Sequence, residues 1–224
     1  MAFARPAAVL ALLAVAGCAA SHAGRTVGRG ILQGEVGLGG PLVTNLGPAV
    51  PIPNVPLGIR YGVTDRVDFS AHWNVLPVVL GGLVQVDAGF TWAILHRETG
   101  SGPNLATGAS LMLMTDFRHG ARLSPILDIA GGYTYRWFTV FAGFDVVADY
   151  AGGGALFNPF AGIEVDLPRR VALQLAAKWF SPAFEGFASP IRYVSVDYRG
   201  GIGVLVGIKF GFDLGKRGEA GHAE

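Results

Sequence analysis

The chain has 224 residues, 51% of them hydrophobic and only 15% charged, with 34 glycines and a formal net charge of +1. That balance leaves no basic surface for nucleic acid, and the length fits one large domain. The apolar content is high for an ordinary soluble domain, yet beyond the N-terminus no run of about 20 uncharged apolar residues offers a membrane-spanning helix.

Residues 1–17 carry one basic residue, Arg5, ahead of an apolar run over 7–16. This is the pattern of a secretory signal peptide, too short to remain in a membrane as a helix. It ends in Val15-Ala16-Gly17-Cys18, which resembles the lipobox of bacterial lipoproteins. The resemblance implies cleavage before Cys18, lipidation of its thiol and new amino group, and, with Ala19 rather than aspartate next, export to the outer membrane. Cys18 is the sole cysteine, so it has no disulfide partner within the chain. Ser21, His22 and Ala23 also have the spacing of an ordinary cleavage site, and cleavage there would discard Cys18. On the lipoprotein reading, residues 18–30 form a lipid-anchored linker.

From residue 31 onward the pattern is strict two-residue alternation, which sends successive side chains of a strand to opposite faces. Residues 31–38 predict a first strand with Leu32, Val36 and Leu38 outward, and Leu57, Ile59, Tyr61 and Val63 mark a second. After a tight turn at Thr64-Asp65, Val67, Phe69, Ala71, Trp73 and Val75 mark a third. The clearest alternation runs over 84–94, with Val84, Val86, Ala88, Phe90, Trp92 and Ile94 on one face and Gln85, Asp87, Gly89, Thr91 and Ala93 on the other. Residues 105–115 predict a fifth strand of ambiguous facing. Leu127, Ile129, Tyr133 and Tyr135 mark a sixth, and Phe138, Val140, Ala142, Phe144 and Val146 a seventh. Residues 157–167 form an eighth, Pro168-Arg169-Arg170 turns the chain, and Val171, Leu173, Leu175, Ala177 and Trp179 mark a ninth. Ile202, Val204, Val206, Ile208, Phe210, Phe212 and Leu214 share one face of the last.

Ten strands result, with eight and twelve as the neighbouring solutions; 31–38 and 189–197 are the ambiguous stretches. Several segments run about 9–11 residues, enough for a tilted strand to cross a bilayer. With no helices to cover them, such strands close on themselves. The expected fold is therefore an all-β, antiparallel up-and-down transmembrane β-barrel over 31–214, followed by a polar tail over 215–224. Tight turns follow the second, sixth and eighth strands, and longer connections follow the first, seventh and ninth. Short turns mark the periplasmic side of a membrane barrel, so both termini are expected there. The segment 96–104 is longer than its side predicts.

Residues 57–68, Leu-Gly-Ile-Arg-Tyr-Gly-Val-Thr-Asp-Arg-Val-Asp, and the Gly/Phe-rich last strand resemble the hairpins and assembly signal of small bacterial outer-membrane β-barrel proteins. The resemblance implies an outer-membrane location, with membrane lipid and the barrel-assembly machinery as partners. Trp73, Trp92, Tyr133, Tyr135, Trp137 and Trp179 are candidates for the aromatic girdles of such a barrel.

The inward face carries Glu35, Arg60, Asp68, His72, Gln85, Asp87, Asp128, Asp145, Glu164, Asp166, Gln174, Lys178, Lys209 and Asp213. A barrel of about ten strands is narrow enough for side chains to fill. Arg60, Lys178 and Lys209 are expected to pair with Asp68, Asp87, Asp145 and Glu164, because an unpaired buried charge is costly. Asp68, Ser70 and His72 invite a triad reading, but residues two apart on a strand lie roughly 7 Å apart with parallel side chains, and a nucleophile needs hydrogen-bond contact with its base. His96 and His119 are expected in solvated loops, and Gly152-Gly153-Gly154 at a loop tip. No catalytic residue, metal-ligand spacing or cofactor motif emerges. The functional expectation is a structural, binding or narrow-channel role, with a small solute or a lipid as the class of ligand. Two alternatives stand: a membrane-embedded enzyme acting on lipid or lipopolysaccharide, and a soluble periplasmic lipoprotein whose faces are inverted around an apolar ligand.

Overall fold

Alternation this regular demands sheet, and a sheet of this length must dispose of its two edges. The computed structural model describes residues 22–44, 48–51, 54–75, 82, 84–96, 101–117, 120–149, 154–185, 194–197 and 199–214. Its strands are β1 (Ile31–Val43), β2 (Val50–Pro51), β3 (Pro56–Gly62), β4 (Val67–Asn74), β5 (Val84–Leu95), β6 (Gly102–Thr115), β7 (Ala121–Tyr135), β8 (Phe138–Asp149), β9 (Gly154–Leu167), β10 (Val171–Glu185) and β11 (Arg199–Asp213). Each pairs antiparallel with its neighbour, and β11 returns to pair with β1 from Ile31↔Asp213 to Pro41↔Gly203. The edges thereby vanish. β2 is only a short side ladder on Leu42 and Val43, so ten strands make the wall of a closed antiparallel barrel.

The two mouths differ. At the mouth where β1 begins, the connections are 63–66, 96–101, 136–137 and 168–170; at the far mouth they are 44–55, 75–83, 116–120, 150–153 and 186–198. The longest connections lie at the far mouth as expected, but the segregation is incomplete: 150–153, expected to be long, is no longer than 63–66, because β8 and β9 pair as far as Asp149↔Gly154. The loop expected over 96–104 shrinks because β6 starts at Gly102, paired with Thr134. β3 and β4 are the short staves, but Gly39↔Asn54 and the Val75 N–H to Val55 carbonyl bond of 3.2 Å extend their pairing toward the far mouth. In the ambiguous stretch near residue 194, Val194 donates to the Leu42 carbonyl at 2.8 Å and so joins the far rim.

Facing follows the sequence parity. Leu38, Ile59, Phe69, Leu127, Val206 and Phe212 stand outward, each more than half exposed, while Asp68, Asp145, Glu164 and Lys209 are buried inside. Tyr61, Trp92, Tyr133, Tyr135, Trp137 and Phe212 are exposed around the near mouth, and Trp73 marks the far end of β4. The inversion with apolar faces inward is therefore not adopted.

The lumen is less uniformly polar than alternation suggests. Met112, Met114, Ile126 and Val147 form a buried internal cluster with Leu156 beside it. At mid-height Phe141 and Phe160 face each other across β8 and β9, ring centroids 6.3 Å apart. Each ring lies over a glycine of the opposite strand: a Cβ on Gly162 would come within 2.6 Å of Phe141, and one on Gly143 within 2.8 Å of Phe160. Large residues fill the space that small ones leave.

Candidate functional site

The segment 22–30, expected as a linker beneath the barrel, lies inside it. Ala23 is buried against Ala130, Phe141, Phe160 and Ala176 at mid-height. His22 pairs with Asp128, the midpoint of β7. Arg25 reaches Glu164 and Asp166 near the end of β9. Closer to the mouth, the Val27 N–H donates to Asp68 Oδ2 at 2.8 Å, Thr26 Oγ1 donates to the Asp65 carbonyl at 2.6 Å, and the Arg29 N–H donates to Asp65 Oδ1 at 3.1 Å. The chain then reverses into β1 through Gly28 and Gly30, with φ of +91° and +73°, a conformation that glycine adopts without steric cost. Gly62 makes room for this reversal, since a Cβ there would sit 1.8 Å from the Gly28 carbonyl oxygen.

Two kinds of contact hold the segment: the Arg25 guanidinium meets Glu164 and Asp166 and His22 pairs with Asp128, while the main-chain N–H groups of Val27 and Arg29 donate to the carboxylates of Asp68 and Asp65. Burial alone would lower the Arg25 pKa, but Glu164 and Asp166 outweigh it and raise it, so the guanidinium stays charged. Alternation along strands carries no information about a segment that is not a strand, so Arg25 was not legible as a lumen residue. The available signal was a histidine and an arginine, His22 and Arg25, just ahead of β1, opposite a lumen with excess acids.

The predicted lumen residues fall into three groups. Lys209 Nζ donates to Glu164 Oε2 at 2.7 Å, joining the Arg25 site. Lys178 pairs with Asp145, which also accepts from Asn158 Nδ2 at 2.6 Å, and Asn158 Oδ1 in turn accepts the Ser181 N–H at 2.9 Å. These two pairings match expectation. The third group corrects it: Arg60 approaches Glu35 at 3.8 Å instead of an aspartate, and His72 Nδ1 meets Asp87 Oδ1 at 2.8 Å with Nε2 3.6 Å from Glu35. The reason is register. Glu35, Gly58, His72 and Asp87 lie in one row across β1, β3, β4 and β5. A Cβ on Gly58 would come within 2.4 Å of His72, so the bare glycine lets Glu35 and His72 meet across it. Asp68 is occupied by the segment, through Val27.

Asp68, Ser70 and His72 do not form a relay: Asp68 holds Val27 while His72 faces Asp87 and Glu35. Among the described residues no group of three or more His, Cys, Asp or Glu side chains has metal-binding geometry. His96 Nδ1 lies 3.4 Å from Thr26 Oγ1, at the foot of the inserted segment, rather than in a solvated loop. The signal peptide, Cys18, His119, Gly152, Gly153 and the tail 215–224 lie outside the described residues.

Most of the lumen is filled. Gln85 and Met112 toward the far mouth, Ala130 and Phe141 at mid-height, and Glu164, Gln174 and Lys209 toward the near mouth all turn inward, and all are less than 9% exposed. A cavity of about 460 Å³ lies at the near mouth, between the segment and the wall, bordered by Arg25, Arg60, Glu164, Asp166, Arg170 and Lys209.

No protein-family model and no curated protein matches the chain. Among solved structures it is similar to OccK11 (OpdR) of Pseudomonas aeruginosa, with 12% identity and a TM-score of 0.33 over 82% of this chain and 66% of that one. The chain thus spans less than two thirds of that protein's length.

Proposed function

We propose that this protein is an integral outer-membrane barrel that is closed at rest, with a binding or narrow-conduit role governed by its inserted N-terminal segment. The observation that carries this reading is the division of faces: large apolar side chains stand exposed on the outside while charges are buried and paired within. In water that outer face would be a severe aggregation liability; in a bilayer it is the contact surface. Short connections at the mouth where β1 begins and β11 ends support a periplasmic placement of that mouth.

Fractionation with alkaline carbonate, paired with a heat-modifiability gel, tests the reading. Retention in the outer membrane with a heat-dependent mobility shift is expected; release without a shift would overturn it. Phe90, outward and mid-strand, offers a second test. Phe90→Arg is expected to destabilise the inserted barrel by ~2–4 kcal/mol if it lies near the midplane, read as the urea midpoint of the mobility shift.

A non-enzymatic role and a lipid anchor on Cys18 are parts of the same proposal. The anchor has a geometric consequence. Four residue-to-residue steps separate Cys18 from His22, a reach of at most about 14 Å. Asp128 stands seven residues from the end of β7, which at barrel tilt is about 18 Å of height. A lipidated chain is therefore expected to draw His22 away from Asp128 while Arg25, three residues further on, stays docked. Intact mass of the purified protein checks the premise: cleavage before Cys18 with a lipid adduct supports the anchor, and cleavage after Ala23 would replace it.

A further inference from the structure

Glu164 and Asp166 occupy alternate positions of β9, so both carboxylates point into the lumen. Arg25 lies across the two with all three guanidinium nitrogens engaged. Nε donates to Glu164 Oε1 at 3.1 Å, Nη1 to Asp166 Oδ2 at 2.9 Å, and Nη2 to Asp166 Oδ1 at 2.5 Å and to Glu164 Oε1. This planar fork suits a guanidinium; an ammonium, with three donors on one atom, cannot span it. The other Glu164 oxygen is held by Lys209, which fixes the carboxylate and cancels one of the two negative charges. Glu164 is almost fully buried, Asp166 is about one-third exposed, and the 460 Å³ cavity adjoins both and opens toward the mouth. The arginine that fills this fork comes from a segment outside the barrel's strand ladder.

We propose that the Glu164–Asp166 pair is a recognition site for a small guanidinium-bearing solute, with Arg25 as its built-in occupant. When the segment withdraws, the fork is vacated and the neighbouring cavity accommodates the rest of an arginine-sized molecule. The proposal rests on the reading of a mobile plug but not on membrane location, because it is tested on folded protein in detergent.

The experiment is chemical rescue of R25A. The heat-modifiability gel first establishes that the variant folds. Its thermal midpoint is then measured with methylguanidinium, free arginine or methylammonium at matched ionic strength. Methylguanidinium and arginine are expected to recover at least half of the stability that R25A loses, with methylammonium inert, wild type unresponsive because its site is filled, and R25A/E164Q/D166N silent. Equal response to methylammonium, equal response of wild type, or no response would overturn the proposal. Should R25A fail to fold, R25K keeps the charge without the fork and is titrated in the same way. A final arm deletes residues 22–29 and compares arginine with a synthetic peptide of residues 22–30. Binding of the peptide alone would reduce the site to an intramolecular clasp and overturn the solute reading, while binding of arginine supports it.

Discussion

The two halves of the lumen are closed by different kinds of contact. In the near half, carboxylates of the wall grip a segment that is not part of the wall, through Arg25 and the Val27 N–H, and the Asp65 carbonyl accepts from Thr26. In the far half, the contacts run from strand to strand: Asp145, Asn158, Lys178 and Ser181 form one chain of polar contacts, and Met112, Met114, Ile126 and Val147 one apolar cluster. The far-half contacts join strands that the backbone ladder also holds together, whereas the segment is held to the wall without a strand ladder, so its contacts are the ones that can be released with the ladder intact.

The largest effect is expected from Glu164→Ala. It strips Arg25 and Lys209 of a shared, buried partner, and breaking a buried ion pair from one side costs about 3–5 kcal/mol. The adjoining cavity admits water to Arg25, so the lower end of that range is expected, read from the urea midpoint of the folded protein in detergent. A cost no larger than that of a surface substitution would mean that the near half does not depend on these charges.

Gly62→Ala sharpens the contrast further. The added methyl would collide with the Gly28 carbonyl, and overpacking of this kind costs about 1–3 kcal/mol. Because the clash bears on the segment's turn, the expected result is an unseated segment in an intact barrel. Thiol labelling at Val27→Cys, in a background lacking Cys18, would rise several-fold while the heat-modifiability shift persists. Loss of the shift would show that the segment and the wall fold as one unit.

The smallest effect is expected in the far half. Ile126→Val removes one methyl from the apolar cluster, for about 0.5–1.5 kcal/mol, with no change in labelling at position 27. Increased labelling there would couple the two halves and erase the distinction between them.

Much of this protein was legible without coordinates. A strand repeats every two residues, so a single apolar position such as Phe90 or Phe210 assigns every neighbour on its strand to a face. Strand existence and the inward position of Asp68, Asp87, Asp145, Glu164, Lys178 and Lys209 follow from that local rule. What the sequence by itself determined was thus which way each strand residue points. Which residues meet was decided only by the tertiary structure, because cross-strand register brings together positions far apart in the chain. Arg60 meets Glu35 and His72 meets Asp87 because four strands align those rows and Gly58 leaves a gap. The insertion of residues 22–30 lies further still from local pattern: a segment without periodicity is placed by the charge of a wall that exists only once the barrel has closed.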